Sequence, residues 1–156
     1  MNIYSLLSED TVLPRLKVKD KETLLNTLVD LLKEQVDGDQ LESIREAVFE
    51  REEIMSTGVG KGLGIPHGKA SAIDESYASF AILAEPVDYE SIDEKPVQLV
   101  FMLVGPESKN STHIKLLSRI SRLMNNTSFR ESLIECHTSE EILTRFKKEE
   151  EKYFEN

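Results

Sequence analysis

The sequence predicts an α/β protein, a compact sandwich of helices packed on a small mixed β-sheet. Three observations carry this. Leu24, Leu25, Leu28, Leu31 and Leu32 recur at helical spacing, residues 77–83 and 97–104 are apolar runs of strand length, and helix-start signals reappear after Gly105-Pro106.

The leucine pattern predicts a helix over residues 21–35, ended by Gly38. Asp39 with Glu42 reads as a capping box opening a second helix, with Leu41, Ile44 and Val48 on one face. Arg51, three residues beyond Val48, is expected to continue that inner face. The runs 77–83 and 97–104 are short enough for buried strands, and Val97, Val100 and Val104 favour that reading. A helix over 112–125 follows, its apolar stripe formed by Leu116, Leu117, Ile120, Leu123 and Met124, with His113 one turn earlier on the same face. Ser128 with Glu131 and Thr138 with Glu141 predict two more helix starts. Cys136 falls on predicted helix, and the charged tail 147–156 is expected to fray. With no repeat or linker, residues 1–156 read as one domain with its core over about 5–147.

Composition narrows the function. The charged fraction is 31% and the longest apolar run falls far short of the ~18 residues a membrane span needs. A single cysteine and a start without basic or apolar character predict a cytoplasmic protein. A net charge of −10 opposes nucleic-acid binding. Lys115, Arg119 and Arg122 share one helix side and read as a solvated basic stripe, and His137 reads as exposed or structural.

Five of the seven glycines lie between Gly58 and Gly68. Successive amides in such a segment can form an anion-binding nest, so Thr57, Gly58 and Gly60 are candidate phosphate-binding residues. Two nucleotide loops fail here. A P-loop would need Ser or Thr where Ala70 follows Lys69, and a dinucleotide fingerprint would need glycine where Leu63 stands. The segment instead ends in Pro66-His67, where proline stiffens the approach to the histidine. Neutral imidazole is a competent nucleophile toward phosphorus near neutral pH. Arg51, His113 and loop amides are placed to stabilise the equatorial oxygens of an in-line transfer. Each has a plainer reading: Arg51 as a helix-end residue on the last carbonyls, His113 as a buried histidine, Thr57 as a turn residue. A metal-dependent hydrolase would need ligands beyond three histidines and one cysteine, so no metal or cofactor is expected.

The combination Arg51-Glu52, Ser56-Thr57-Gly58-Val59-Gly60 and Ile65-Pro66-His67-Gly68-Lys69 resembles the active-site signature of fructose/mannitol-type IIA domains of the bacterial phosphotransferase system. The resemblance continues through residues 91–97 and Leu103-Val104 to Thr112-His113-Ile114-Lys115-Leu116-Leu117, and covers about 24–146. It implies a small α/β sandwich in which His67 is the phosphoacceptor, with the tele nitrogen the candidate atom, assisted by His113 and Arg51. It also implies phosphate from an HPr-type phosphocarrier protein and a sugar-specific IIB component or regulatory protein downstream. Overall length and motif spacing most resemble the nitrogen-regulatory type, which signals through its phosphorylation state. The alternative is a phosphorylation-switched binding module with no transport role. Gly64 departs from the alanine of many members.

Overall fold

A computed structural model describes residues 2–154. The strands are β1 (Val12–Leu16), β2 (Gly58–Gly60), β3 (Leu63–Gly64), β4 (His67–Ala70), β5 (Tyr77–Val87) and β6 (Val97–Pro106). The α-helices are α1 (Lys21–Asp30), α2 (Gly38–Ile54), α3 (Asn110–Met124), α4 (Thr127–Ile134) and α5 (Ser139–Phe154).

The strands form one mixed sheet in the order β1-β5-β6-β3-β2, with β4 also pairing β6. β5 and β6 are antiparallel, as expected of the two apolar runs, and bury their side chains on both faces. Phe80, Leu99, Phe101 and Leu103 face a core shared with Leu116 and Ile120 of α3, Phe129 of α4 and Phe146 of α5. Ala81, Val100, Met102 and Val104 face a second core shared with Leu24 and Leu28 of α1 and Ile44 and Val48 of α2. The sheet is therefore sandwiched between α1/α2 and α3–α5, which is the predicted fold class.

The boundaries differ in instructive ways. α1 stops at Asp30 and the chain turns through 31–36, short of the expected end at 35. α2 is capped two residues earlier than expected: Asp37 accepts from the Gln40 N–H at 2.8 Å, and Gln40 accepts from the Asp37 N–H at 3.0 Å. Gly38 thus opens a helix instead of closing one. α4 is capped by Asn126, which accepts from the Phe129 N–H, in place of Ser128. The Thr138–Glu141 start of α5 forms as predicted, with Thr138 Oγ1 accepting from the Glu141 N–H. Cys136 lies buried in the connection between α4 and α5, off either helix.

The expected fraying does not occur over 147–154; residues 155–156 lie outside the described chain. Helix α5 runs to Phe154 because Glu150, 1% exposed, accepts hydrogen bonds from the Ile3 and Tyr4 N–H groups and from Arg119 Nε at 2.7 Å. Arg119 stacks 3.9 Å from the Phe154 ring centroid and Arg122 lies 5.4 Å from it. Arg119 is thus packed against α5, while Lys115 and Arg122 stay exposed as the solvated reading expected. Among the described residues no helix is long and apolar enough to cross a membrane.

Glu150→Ala leaves the Arg119 guanidinium and two amides without their acceptor and is expected to cost about 3 kcal/mol. Urea unfolding checks this, and a midpoint unchanged from the wild type would show that the clasp is energetically idle.

Candidate functional site

The site begins with a strand interrupted by proline. β3 pairs with Leu99 and Val100, and β4 with Leu103 through Pro106, both parallel to β6 and in one unbroken register. β3 and β4 are therefore one strand broken at Ile65-Pro66. The Pro66 carbonyl still accepts from the Leu103 N–H at 3.0 Å, and proline has no N–H to leave unpaired. Ile65 faces the opposite edge, where its N–H donates to the Thr57 carbonyl at 3.0 Å. The Ile65 carbonyl bonds instead to Nδ1 of His67 at 2.9 Å. A carbonyl can only accept, so Nδ1 carries the proton and Nε2 carries the lone pair.

Gly68 sets β4 against α2. A Cβ there would sit 3.0 Å from the Ala47 carbonyl carbon and 3.1 Å from the Val48 nitrogen. Only glycine lets the strand approach the helix backbone this closely. The last turn of α2 then reaches the histidine, and Arg51 lines the same cleft as His67, with Lys69, Asn110 and His113. Arg51 is half-buried and donates to the Met55 carbonyl at 2.8 Å, so it caps its helix while bordering the cleft. The plain helix-end reading of this residue is realised, with the side chain also at the cleft.

His113, 4% exposed, comes from α3 on the other side of the sheet. Its ring centroid is 6.0 Å from that of His67, at an interplanar angle of 50°. Its Nδ1 is enclosed without a partner. A buried lone pair without a donor is better tolerated than an orphaned N–H, so the proton belongs on Nε2, at the cleft. Burial, then the neighbouring His67 and Lys69, depress its pKa to about 4. Burial also lowers the pKa of His67; the Ile65 carbonyl and Glu52 oppose this, and Arg51 reinforces it. Both imidazoles are thereby held neutral around pH 7.

The glycine-rich segment does not form the expected nest around His67. Thr57 is buried, its N–H and hydroxyl both donated to Glu52. The Gly58 N–H goes to Ser56 Oγ, and the Lys61 N–H to Asp93. Gly60 borders a different cleft, with Lys61, Ser118 and Asn125. The structure thus brings together His67, His113 and Arg51, and leaves Thr57, Gly58 and Gly60 outside their cleft. Its walls include Glu50 and Glu107, and an apolar rim of Ile54, Ile114 and Leu117.

Sequence reasoning missed Glu52. Ile44, Val48 and Glu52 repeat every four residues, so Glu52 and not Arg51 continues the buried stripe of α2. Its carboxylate binds Thr57, Lys21 and Tyr89 beneath the segment.

Residues 5–149 match the family model described as phosphoenolpyruvate-dependent sugar phosphotransferase system, EIIA 2. The chain is similar to the nitrogen regulatory protein of Bradyrhizobium diazoefficiens, 37% identical over 85% of this chain and 86% of that one. It is 34% identical to the fructose-specific EIIABC component of Bacillus subtilis, over 92% of this chain but only 22% of that protein. Its structure matches nitrogen regulatory protein IIA-Ntr from Neisseria meningitidis with a TM-score of 0.84 and 29% identity, covering 92% of this chain and 97% of that one.

NMR titration is expected to place the His113 midpoint near pH 4 and that of His67 below 6.5, the ordinary histidine value. Between these values the unfolded chain binds more protons than the folded one. The stabilisation from keeping both rings neutral is thus complete above about pH 6.5, and is lost as pH falls through the folded midpoints. A His113 midpoint at or above 6.5 would refute the neutral-imidazole description.

Proposed function

The chain belongs to the phosphoenolpyruvate-dependent sugar phosphotransferase system EIIA 2 family, and from that premise we propose that it is a cytoplasmic phosphoryl carrier loaded on Nε2 of His67. The observation that carries this reading is the Ile65 carbonyl on Nδ1, which leaves Nε2 as the free nucleophile. The donor is a phosphohistidine of an HPr-type phosphocarrier protein. The lone pair of Nε2 attacks phosphorus in line as the donor's N–P bond breaks, and the donor histidine leaves as neutral imidazole. His67 keeps its Nδ1 proton, so its ring gains the positive charge that the donor ring loses, and no proton is transferred. Arg51 and the Nε2–H of His113 take the equatorial oxygens. Thr57, Gly58 and Gly60 are proposed to support the His67 segment, with no contact to phosphate.

The recipient is a sugar-specific IIB component or a regulatory protein target. Ile54, Met55 and Ile114 are 80%, 63% and 57% exposed on or near the cleft rim, suited to transient docking of either class. We favour the nitrogen-regulatory output, with residues 1–156 working as one EIIA unit. The 37% identity to the Bradyrhizobium diazoefficiens nitrogen regulatory protein and the structural match to IIA-Ntr from Neisseria meningitidis support it. In that output phosphorylation of His67 adds up to about two negative charges at the rim and changes which partner binds.

Incubation with phosphoenolpyruvate, enzyme I and HPr is expected to add one acid-labile phosphoryl group to the wild type and none to His67→Ala, read by intact mass. His113→Ala is expected to slow loading about 100-fold, the scale of losing one oxyanion donor. Equal labelling of wild type and His67→Ala would remove His67 from the role.

A further inference from the structure

We propose that Glu52 is a positioning residue for His67, acting through Thr57 and Ile65 and not on the phosphoryl group. The inference rests on the phosphoacceptor reading of His67.

Glu52 is 8% exposed, yet both carboxylate oxygens are used. Oε2 accepts from the Thr57 N–H at 2.8 Å and from Lys21 Nζ at 2.9 Å. Oε1 accepts from the Thr57 hydroxyl at 2.5 Å and lies 3.4 Å from the Tyr89 hydroxyl. Thr57 spends its only hydroxyl proton on the carboxylate, so the Tyr89 hydroxyl, 2.9 Å away, must donate to Thr57 Oγ1. Tyr89 is fully buried and, through that burial and the Glu52 charge, stays protonated far beyond its ordinary range.

From this anchor an uninterrupted path leads to the reacting ring. Thr57 is fixed through its N–H by Glu52, and its carbonyl accepts from the Ile65 N–H at 3.0 Å. The Ile65 carbonyl then holds Nδ1 of His67 at 2.9 Å. Each link fixes the position of the next, so the buried anchor at one end limits displacement of the carbonyl that orients the ring. Tyr89 secures the middle of the path sterically. A Cβ on Gly64 would lie 3.2 Å from Tyr89 Cζ, so the ring braces the strand one residue before Ile65. The glycine that departs from many family members is the one this tyrosine packs against.

The charge of Glu52 has a second consequence. His67 shares its cleft with Glu50 and Arg51 from α2, Glu107 and His113 from the α3 side and its strand neighbour Lys69, while the Glu52 charge acts on it from beneath. The Glu52 charge favours the positively charged imidazole that phosphoryl acceptance creates, and Arg51 opposes it. For stability alone a buried carboxylate is a poor choice, since well-packed apolar groups often serve as well.

The test uses the full chain as wild type, Glu52→Gln, Glu52→Asp and Thr57→Val, each first shown folded by circular dichroism. Nitrogen-15 NMR of the imidazoles reads the tautomer and midpoint of His67 without any phosphate donor. Stopped-flow loading from phospho-HPr reads the rate and its half-saturation. In Glu52→Gln the His67 midpoint is expected to fall, the tautomers to mix, and the maximal loading rate to drop about 10- to 100-fold with half-saturation unchanged. Glu52→Asp should recover part of both readouts. A folded Glu52→Gln with wild-type tautomer, midpoint and rate overturns the proposal. If Glu52→Gln does not fold, Glu52→Asp decides: its shorter side chain withdraws the carboxylate from the Thr57 N–H, and a wild-type tautomer and midpoint overturns the inference. Thr57→Val, which keeps the backbone links, is expected to move both readouts less than Glu52→Asp. Failure of the wild type itself to load would instead overturn the phosphoacceptor reading, with the NMR arm still deciding the role of Glu52.

Discussion

The structure turns on the ten-residue strand β6, whose backbone must be paired on both edges in the middle of two cores. β5 completes one edge; the other is completed by 63–70 in a single register, interrupted at Pro66. A proline in a central strand is tolerated here because the ladder takes its carbonyl and asks nothing of its nitrogen. β2 is too short to cover the outer side of this strand beyond Ile65. The Ile65 carbonyl is left at a sheet edge with no strand to meet it, and the His67 ring folds back to satisfy it. The tautomer of His67 is thus settled by sheet pairing.

The same edge explains how Arg51 and His113 converge from distant parts of the chain. α2 packs on one face of the sheet through Ile44 and Val48, and α3 on the other through Leu116 and Ile120. Two helices on opposite faces can approach each other only at the end of the layer between them, and that is where β4 begins. Gly68 admits the backbone of α2 on one side, and Gly105, 3.0 Å from His113 Nδ1 at its would-be Cβ, admits the imidazole on the other. Both rings are desolvated by this packing, which favours their neutral forms and leaves a lone pair on each.

Much of this was legible in the residues. The alternation of core contacts in 97–104 and the leucine and isoleucine stripes of α1 and α3 follow from burial, which periodicity reports directly. Pro66-His67 and its glycines marked the candidate site, and His113 joined it through the family resemblance, its place on the α3 stripe alone reading as a buried histidine. The strands within 58–70 were not legible. Glycines suggest freedom, whereas here they serve close packing, and two- and three-residue strands exist only because β6 supplies a template. β1 escaped notice because Pro14 and Arg15 disguise a strand at the sheet edge. Glu52 was hidden for a different reason: a charged residue on a buried stripe is expected to face solvent until its partners, Thr57, Lys21 and Tyr89, are known.

The failed expectation of an amide nest bears on what kind of phosphate chemistry the cleft supports. A nest of free N–H groups would bind phosphate tightly in the ground state, which suits a nucleotide site and hinders a carrier that must release its cargo. In this protein the amides of Thr57, Gly58 and Lys61 are engaged internally, and Arg51 spends part of its guanidinium on the Met55 carbonyl. The side-chain donors lining the cleft are Arg51, the neutral His113 imidazole, Asn110, and Lys69, which is itself bonded to Asn110 Oδ1 at 2.6 Å. Such a set can steady the charge of a transferring phosphoryl group without holding it strongly on either side of the reaction. The loading and unloading steps of the proposed carrier would then be close in free energy, as reversible exchange between histidines of similar chemistry requires.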